Sequence, residues 1–103
     1  MADLQVTIER LPAVITLHAA GPVDSKTAAS LHEPLLAAAA VPNATVCLDL
    51  AHVSCMSNAG LRVLLLAAQA LRARDGHLRL EHVPPHIKNL LSSAGFTTFV
   101  DVA

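Results

Sequence analysis

Leu4, Val6 and Ile8 alternate with Gln5, Thr7 and Glu9, which predicts a strand with one buried face. Pro12 marks a turn, and Val14, Ile15 and Leu17 predict a second strand that stops at Ala20-Gly21-Pro22. Strands joined by so short a turn pair as a hairpin. Asp24 and Ser25 are N-cap types, and Ala28, Ala29, Leu31, Leu35 and Leu36 then recur at helical spacing up to Ala40. Pro34 falls inside that pattern and predicts a kink or a late restart, because proline lacks the N–H and crowds the preceding turn. After Pro42-Asn43, the nearly continuous apolar run from Thr45 to Leu50 predicts a central strand buried on both faces.

A polar turn over Met56 to Gly60 leads into a helix whose apolar face is Leu61, Leu64, Leu65, Ala68 and Leu71, widened by Val63, Leu66 and Ala67. Arg62, Gln69 and the segment from Arg72 to Asp75 supply its wet side and end, and Gly76 is its expected C-terminal stop. Leu78, Leu80 and His82 alternate with Arg79 and Glu81 in a strand predicted over His77 to Val83. Pro84-Pro85 opens a short helix through Ile87, Leu90 and Leu91 that ends at Gly95, and Phe99, Val100 and Val102 form a final edge strand or tail. The order is strand, strand, helix, strand, helix, strand, helix, short strand. That predicts an α/β chain with a mixed four- to five-stranded sheet, its later strands parallel and its helices packed on it.

At 103 residues this is one domain, spanning 1–103, and a hydrophobic fraction of 53% against 15% charged residues makes it a core-rich globular chain. The net charge of -1 comes with scattered Lys and Arg, and Phe96 and Phe99 are its only aromatic residues. Both facts argue against direct binding of nucleic acid, which needs a basic stripe or stacking platforms. The start has no basic and apolar leader, and the apolar run from Val63 to Ala68 is far short of a membrane span, so a cytoplasmic protein without membrane insertion is expected. Cys47 and Cys55 lack CxxC spacing and read as buried, reduced thiols. His82 and His86 are four apart, but Pro84-Pro85 keeps them off one helical face, so neither a metal site nor any other cofactor is expected. Ser54, Cys55 and Ser57 lie near His52 without a glycine-flanked nucleophile turn, so no catalytic residue is assigned.

The chemistry of the chain concentrates where strand passes to helix, at Met56-Ser57-Asn58-Ala59-Gly60. The first-turn N–H groups of a helix point outward at the positive end of its dipole and favour a phosphate or a partner's carboxylate. Ser and Asn there also cap the helix, which stabilises it by about 1 kcal/mol.

The element order resembles the STAS domain, the family of anti-sigma factor antagonists and of the cytoplasmic tails of sulfate transporters. The likeness rests on Gly21-Pro22-Val23-Asp24, on Leu48-Asp49-Leu50 through Met56-Ser57-Asn58-Ala59-Gly60-Leu61, on Gly76, and on the stretch from Ile87 to Phe96. It implies a non-enzymatic bacterial regulator of transcription. Such a protein binds an anti-sigma factor that is also a serine kinase, in a partner-switching circuit that a serine phosphatase can reset. In such antagonists an aspartate is followed by the phosphorylated serine; here those positions hold Ser57 and Asn58. Asparagine cannot accept a phosphate. Ser57 is then the candidate acceptor, one residue early; or the chain binds its partner without this switch; or Asn58 replaces a native serine and locks the dephosphorylated form. The likeness puts Asp24 at the same end of the sheet as the turn, and makes Asp24, Ser25, Met56, Ser57, Asn58, Ala59, Gly60 and Arg62 the expected partner surface. Met56 is expected either to be exposed there as a pliable contact or to be simply part of the core. A related expectation is a constitutive subunit docked on an ATPase, as in lipid-transport assemblies.

Overall fold

The computed structural model describes residues 3–12, 14–98 and 100–103. Among the described residues five strands and three α-helices follow in the order β1 (Gln5–Leu11), β2 (Val14–Val23), α1 (Ala28–Ala39), β3 (Thr45–Met56), α2 (Asn58–Arg72), β4 (His77–Glu81), α3 (Pro85–Ser93) and β5 (Asp101–Val102), with a 3-10 turn at Phe96–Thr98 before β5. The sheet order is β1-β2-β3-β4-β5. The β1–β2 hairpin is antiparallel and every later pairing is parallel, as the predicted order requires. Phe99, placed with the last strand on sequence grounds, lies outside the described residues.

Register divides the sheet into two unlike faces. Ile8, Leu17, Leu48 and Leu80 lie side by side on the face covered by helices. Leu17, Leu48, Leu50 and Leu80 of the sheet are fully buried there with Leu31 and Leu35 of α1 and Leu64 and Leu71 of α2. Each such leucine stabilises the fold by roughly 1.5–3 kcal/mol relative to an exposed one. The other face carries Thr7, His18, Asp49 and Glu81 in one row across four strands. It is polar, so β3 is covered on one side only and not on both, although Cys47 is still buried among its neighbours.

Several elements depart from their predicted limits. Strand β2 does not stop at Ala20-Gly21-Pro22 but runs on to Val23, because irregularities between His18 and Ala20 and between Gly21 and Pro22 let it stay paired with β3. Strand β3 continues to Met56 and α2 begins at Asn58, so the predicted polar turn is taken up by the strand end and the first helical residues, and the strand meets its helix at Ser57 alone. Helix α1 passes through Pro34 without interruption. Proline inside a helix costs about 3 kcal/mol or more, but Leu31, Leu35, Ala38 and Ala39 flank it on one buried face and hold the helix together. At the end of α2 the left-handed residue is Asp75 (φ 59°) and not Gly76. Gly76 serves close packing instead, since a Cβ there would lie 2.6 Å from the Ala44 carbonyl oxygen. Strand β1 is an edge, so its inward row fades from buried Leu4 through half-buried Val6 to exposed Ile8.

Candidate functional site

Strands β2 and β3 finish together, with Val23 paired to Met56, and this brings the loop after β2 against the start of α2. The Ser57 N–H donates to the Val23 carbonyl at 2.8 Å and ties the two junctions. Ser57 is extended (φ -95°, ψ 175°) and is the N-cap of α2: its Oγ accepts from the Gly60 N–H at 3.4 Å, and its carbonyl accepts from the Leu61 N–H at 3.0 Å. An extended residue carrying a hydroxyl is the conformation and chemistry an N-cap needs.

The loop of 24–27 is braced by Asp24. Its Oδ1 accepts from the Lys26 N–H at 2.8 Å and the Thr27 N–H at 3.1 Å. The Thr27 Oγ1 donates to the Pro22 carbonyl at 2.7 Å and accepts from the Asp24 N–H at 3.0 Å. The N–H donors of Lys26 and then Thr27 hold the Asp24 carboxyl below the usual carboxylate range. The N-cap of α1 is therefore Thr27, with no side-chain bond of its own to the helix, and neither Asp24 nor Ser25. Asp24 caps the turn that precedes it.

The predicted surface residues separate into two layers. Asn58, Ser25 and Arg62 are exposed, and Asp24, Ser57 and Ala59 are half-buried, all around one helix N-terminus. Met56 and Gly60 lie beneath them in the core, Met56 with 8% of its surface exposed. Met56 is thus no pliable outer contact: it ends a strand, pairs with Val23 and points inward. A Cβ on Gly60 would collide with the Met56 sulfur and lie 2.6 Å from Val23 Cγ1, so this glycine is demanded by packing under the turn.

The two cysteines also part company. Cys47 is buried and Cys55 is exposed, which corrects the expectation that both are buried. Burial, with Glu81 nearby, pushes the Cys47 thiol up. His86, at the start of α3, places Nε2 3.2 Å from the Ser54 carbonyl and fixes α3 beside the end of β3. Among the described residues no group of three or more His, Cys, Asp or Glu is placed to hold a metal ion, and no helix is long and apolar enough to cross a membrane. A cleft of about 870 Å³ between Leu65, Arg72, His77 and Asp101 opens at the other end of α2, away from Ser57.

Sequence reasoning missed one polar constellation, on the bare face of the sheet. His18 Nδ1 lies 2.8 Å from Asp49 Oδ2 and its Nε2 3.0 Å from Glu9 Oε1, while His82 Nδ1 lies 3.3 Å from Asp49 Oδ1. The available signal was Asp49 itself, a carboxylate inside an otherwise apolar run.

The strand order, the one-sided helices and the β3–α2 junction define a STAS-type α/β domain. The chain belongs to that family: the family described as Mlab, STAS domain, matches residues 6–101. It is 32% identical over 100 residues to the protein of Bordetella bronchiseptica named anti-sigma factor antagonist BtrV, covering 97% of this chain and 86% of that protein. In fold it is similar to an anti-sigma factor antagonist from Mycobacterium paratuberculosis, with a TM-score of 0.81 at 19% identity over 97% of this chain and 85% of that one. It also matches the Bacillus cell fate determinant SpoIIAA in its phosphorylated form, with a TM-score of 0.75 at 17% identity over 96% of this chain and 91% of that one.

Proposed function

We propose that the chain is an anti-sigma factor antagonist, a binding protein that captures an anti-sigma factor with serine kinase activity and so frees the sigma factor that kinase holds. The contact surface is Asp24, Ser25, Ser57, Asn58, Ala59 and Arg62, supported from below by Met56 and Gly60. One observation carries this reading: the Ser57 N–H to Val23 carbonyl bond makes a single surface of the two loops at the N-terminus of α2, in a chain whose relative BtrV bears the antagonist's name.

Phosphorylation of Ser57 is the proposed control, reversed by a serine phosphatase in the same cytoplasmic circuit. A phosphate adds about -1.5 to -2 charges at pH 7. On Ser57 it would sit by the first-turn N–H groups of α2, so the fold tolerates it, while the added charge beside the Asp24 carboxylate repels the bound partner. A second reading, permanent docking on an ATPase without phosphorylation, is favoured by two facts about the turn. Asn58 cannot be phosphorylated, and the Ser57 hydroxyl is already engaged as a cap.

Incubation of the chain with ATP and a candidate anti-sigma factor kinase, followed by peptide mapping, tests the proposal. The expected result is one phosphate on Ser57, absent from Ser57→Ala, with the modified chain bound more weakly. A stable complex with no phosphate on any residue would replace the switch with permanent docking, and no complex with any such kinase would overturn the antagonist reading itself.

A further inference from the structure

His18 sits on β2 with a carboxylate on each side. Both of its ring nitrogens are within 3.0 Å of a carboxylate oxygen, Asp49 on β3 and Glu9 on β1. A neutral imidazole has one N–H donor and one lone pair, and a lone pair facing a carboxylate is repelled. Only the imidazolium satisfies both contacts at once. The Asp49 carboxylate does further work: its Oδ1 accepts from the Ala51 N–H at 2.9 Å. Ala51 lies in the stretch where β3 carries one residue more than β2, between the pairs His18–Asp49 and Ala20–His52. An extra residue of this kind leaves a ladder N–H without its strand partner, and Asp49 supplies the missing acceptor.

We infer that His18 is the protonated link of a clasp on the bare face of the sheet, joining Glu9 of the edge strand to Asp49 of the central strand and, through Asp49, bracing the Ala51 bulge. This is separate from the partner surface and does not depend on the function proposed above. Loss of the proton leaves one donor for two carboxylates. The Glu9 arm then opens first, because the Glu9 side chain is 71% exposed and that of Asp49 only 16%.

The charges around the clasp set its sign. From β1 there is Glu9; from β3, Asp49, with the Cys47 thiol two residues earlier on the same face; from β4, Glu81 in register with Asp49 and Arg79 in register with Cys47. His82, just beyond β4, approaches the second oxygen of Asp49. Acidic groups predominate next to the imidazole. The hydrogen bond to Asp49, opposed by partial desolvation and reinforced by Glu9, raises the His18 pKa above its ordinary 6.5. A raised pKa means stabilisation that is complete below the unfolded-state value and is lost as pH rises through the folded-state value. Burial works against ionisation of Asp49, but the Ala51 N–H and the two imidazoles outweigh it and hold its carboxyl below the usual range. The clasp is therefore closed from above the Asp49 titration up to that of His18.

The test is a ring-nitrogen NMR titration of the full chain, with urea unfolding followed from about pH 5 to 9, on the wild type and on His18→Gln, His82→Gln and Glu9→Gln. His18 is expected to carry two N–H groups at the acid end and to titrate above 6.5, with the Ala51 amide signal moving at the same midpoint. The urea midpoint of the wild type should fall through that titration, that of His18→Gln should not, and His82→Gln should retain the fall. In Glu9→Gln the His18 titration should shift downward. A His18 that titrates at or below 6.5, or parallel wild-type and His18→Gln profiles, would overturn the clasp. Should His18→Gln not fold, the wild-type ring titration decides alone.

Discussion

Substituting Gly60 by alanine adds one methyl group in a tightly packed place beneath the proposed partner surface. The new Cβ would meet the Met56 sulfur and lie 2.6 Å from Val23 Cγ1. The thioether can swing away, but Val23 is fully buried and stiff at its branched β-carbon, so the collision with it has to be absorbed by the junction of β2 and β3. Overpacking of this kind costs typically 1–3 kcal/mol, and the gain in helix propensity from removing glycine returns roughly 0.8–1.0 kcal/mol. The net expectation is a loss on the order of 1 kcal/mol, a fall in melting temperature of roughly 4–8 °C for a domain of this size. Urea unfolding followed by circular dichroism measures it. The same measurement on Val23→Ala and on the double variant locates the cause: with the valine methyls gone, Gly60→Ala should cost less, a favourable coupling of about 0.5–3 kcal/mol. A Gly60→Ala variant as stable as the wild type, or effects that simply add, would refute the packing argument and return Gly60 to the outer surface.

Other outcomes follow from the same geometry. Replacing Asp24 with alanine should lower the melting temperature more than Asp24→Asn does, since the amide oxygen can still accept from Lys26 and Thr27; equal losses in thermal melts would contradict the bracing role. Because the Asp24 pKa is lowered on folding, its stabilisation is present above the unfolded-state value and lost as pH falls through the folded-state value, so the wild type and Asp24→Asn should converge in acid. Thiol titration with a chromogenic disulfide should label Cys55 at once and Cys47 only on unfolding, and two fast thiols would contradict the burial. Ser57→Ala should cost no more than about 1 kcal/mol, because the bond it removes is long at 3.4 Å.

The order of elements was legible because each helix and strand repeats its own period over enough residues to be read locally. Limits were less so, and each miss has a cause that only packing reveals. Pro34 reads as a break, yet the buried leucines on either side of it outweigh its local cost. Gly21-Pro22 reads as a stop, but the parallel neighbour β3 keeps pairing past it. Met56 reads as part of a polar turn because the residues around it are polar, whereas its pairing with Val23 turns it inward. The position of Ser57 and Asp24 at one end of the sheet came from family likeness, and the Ser57 N–H to Val23 carbonyl bond that ties the two junctions needed the register. The His18–Asp49 contact spans 31 positions, and no local pattern encodes such a pairing.

The spatial order of the strands is the same as their order along the chain, and this bears on how the protein is made. A chain emerging from the ribosome can close the β1–β2 hairpin, lay α1 against it and add β3 without waiting for any later strand. Each subsequent strand then docks on an edge that already exists, and loop-closure entropy is met in small steps. The last strand contributes only two residues to the sheet, so the folding nucleus is expected among the earlier strands. Mutations in β2 and β3 are expected to slow folding, whereas changes in β5 mainly hasten unfolding.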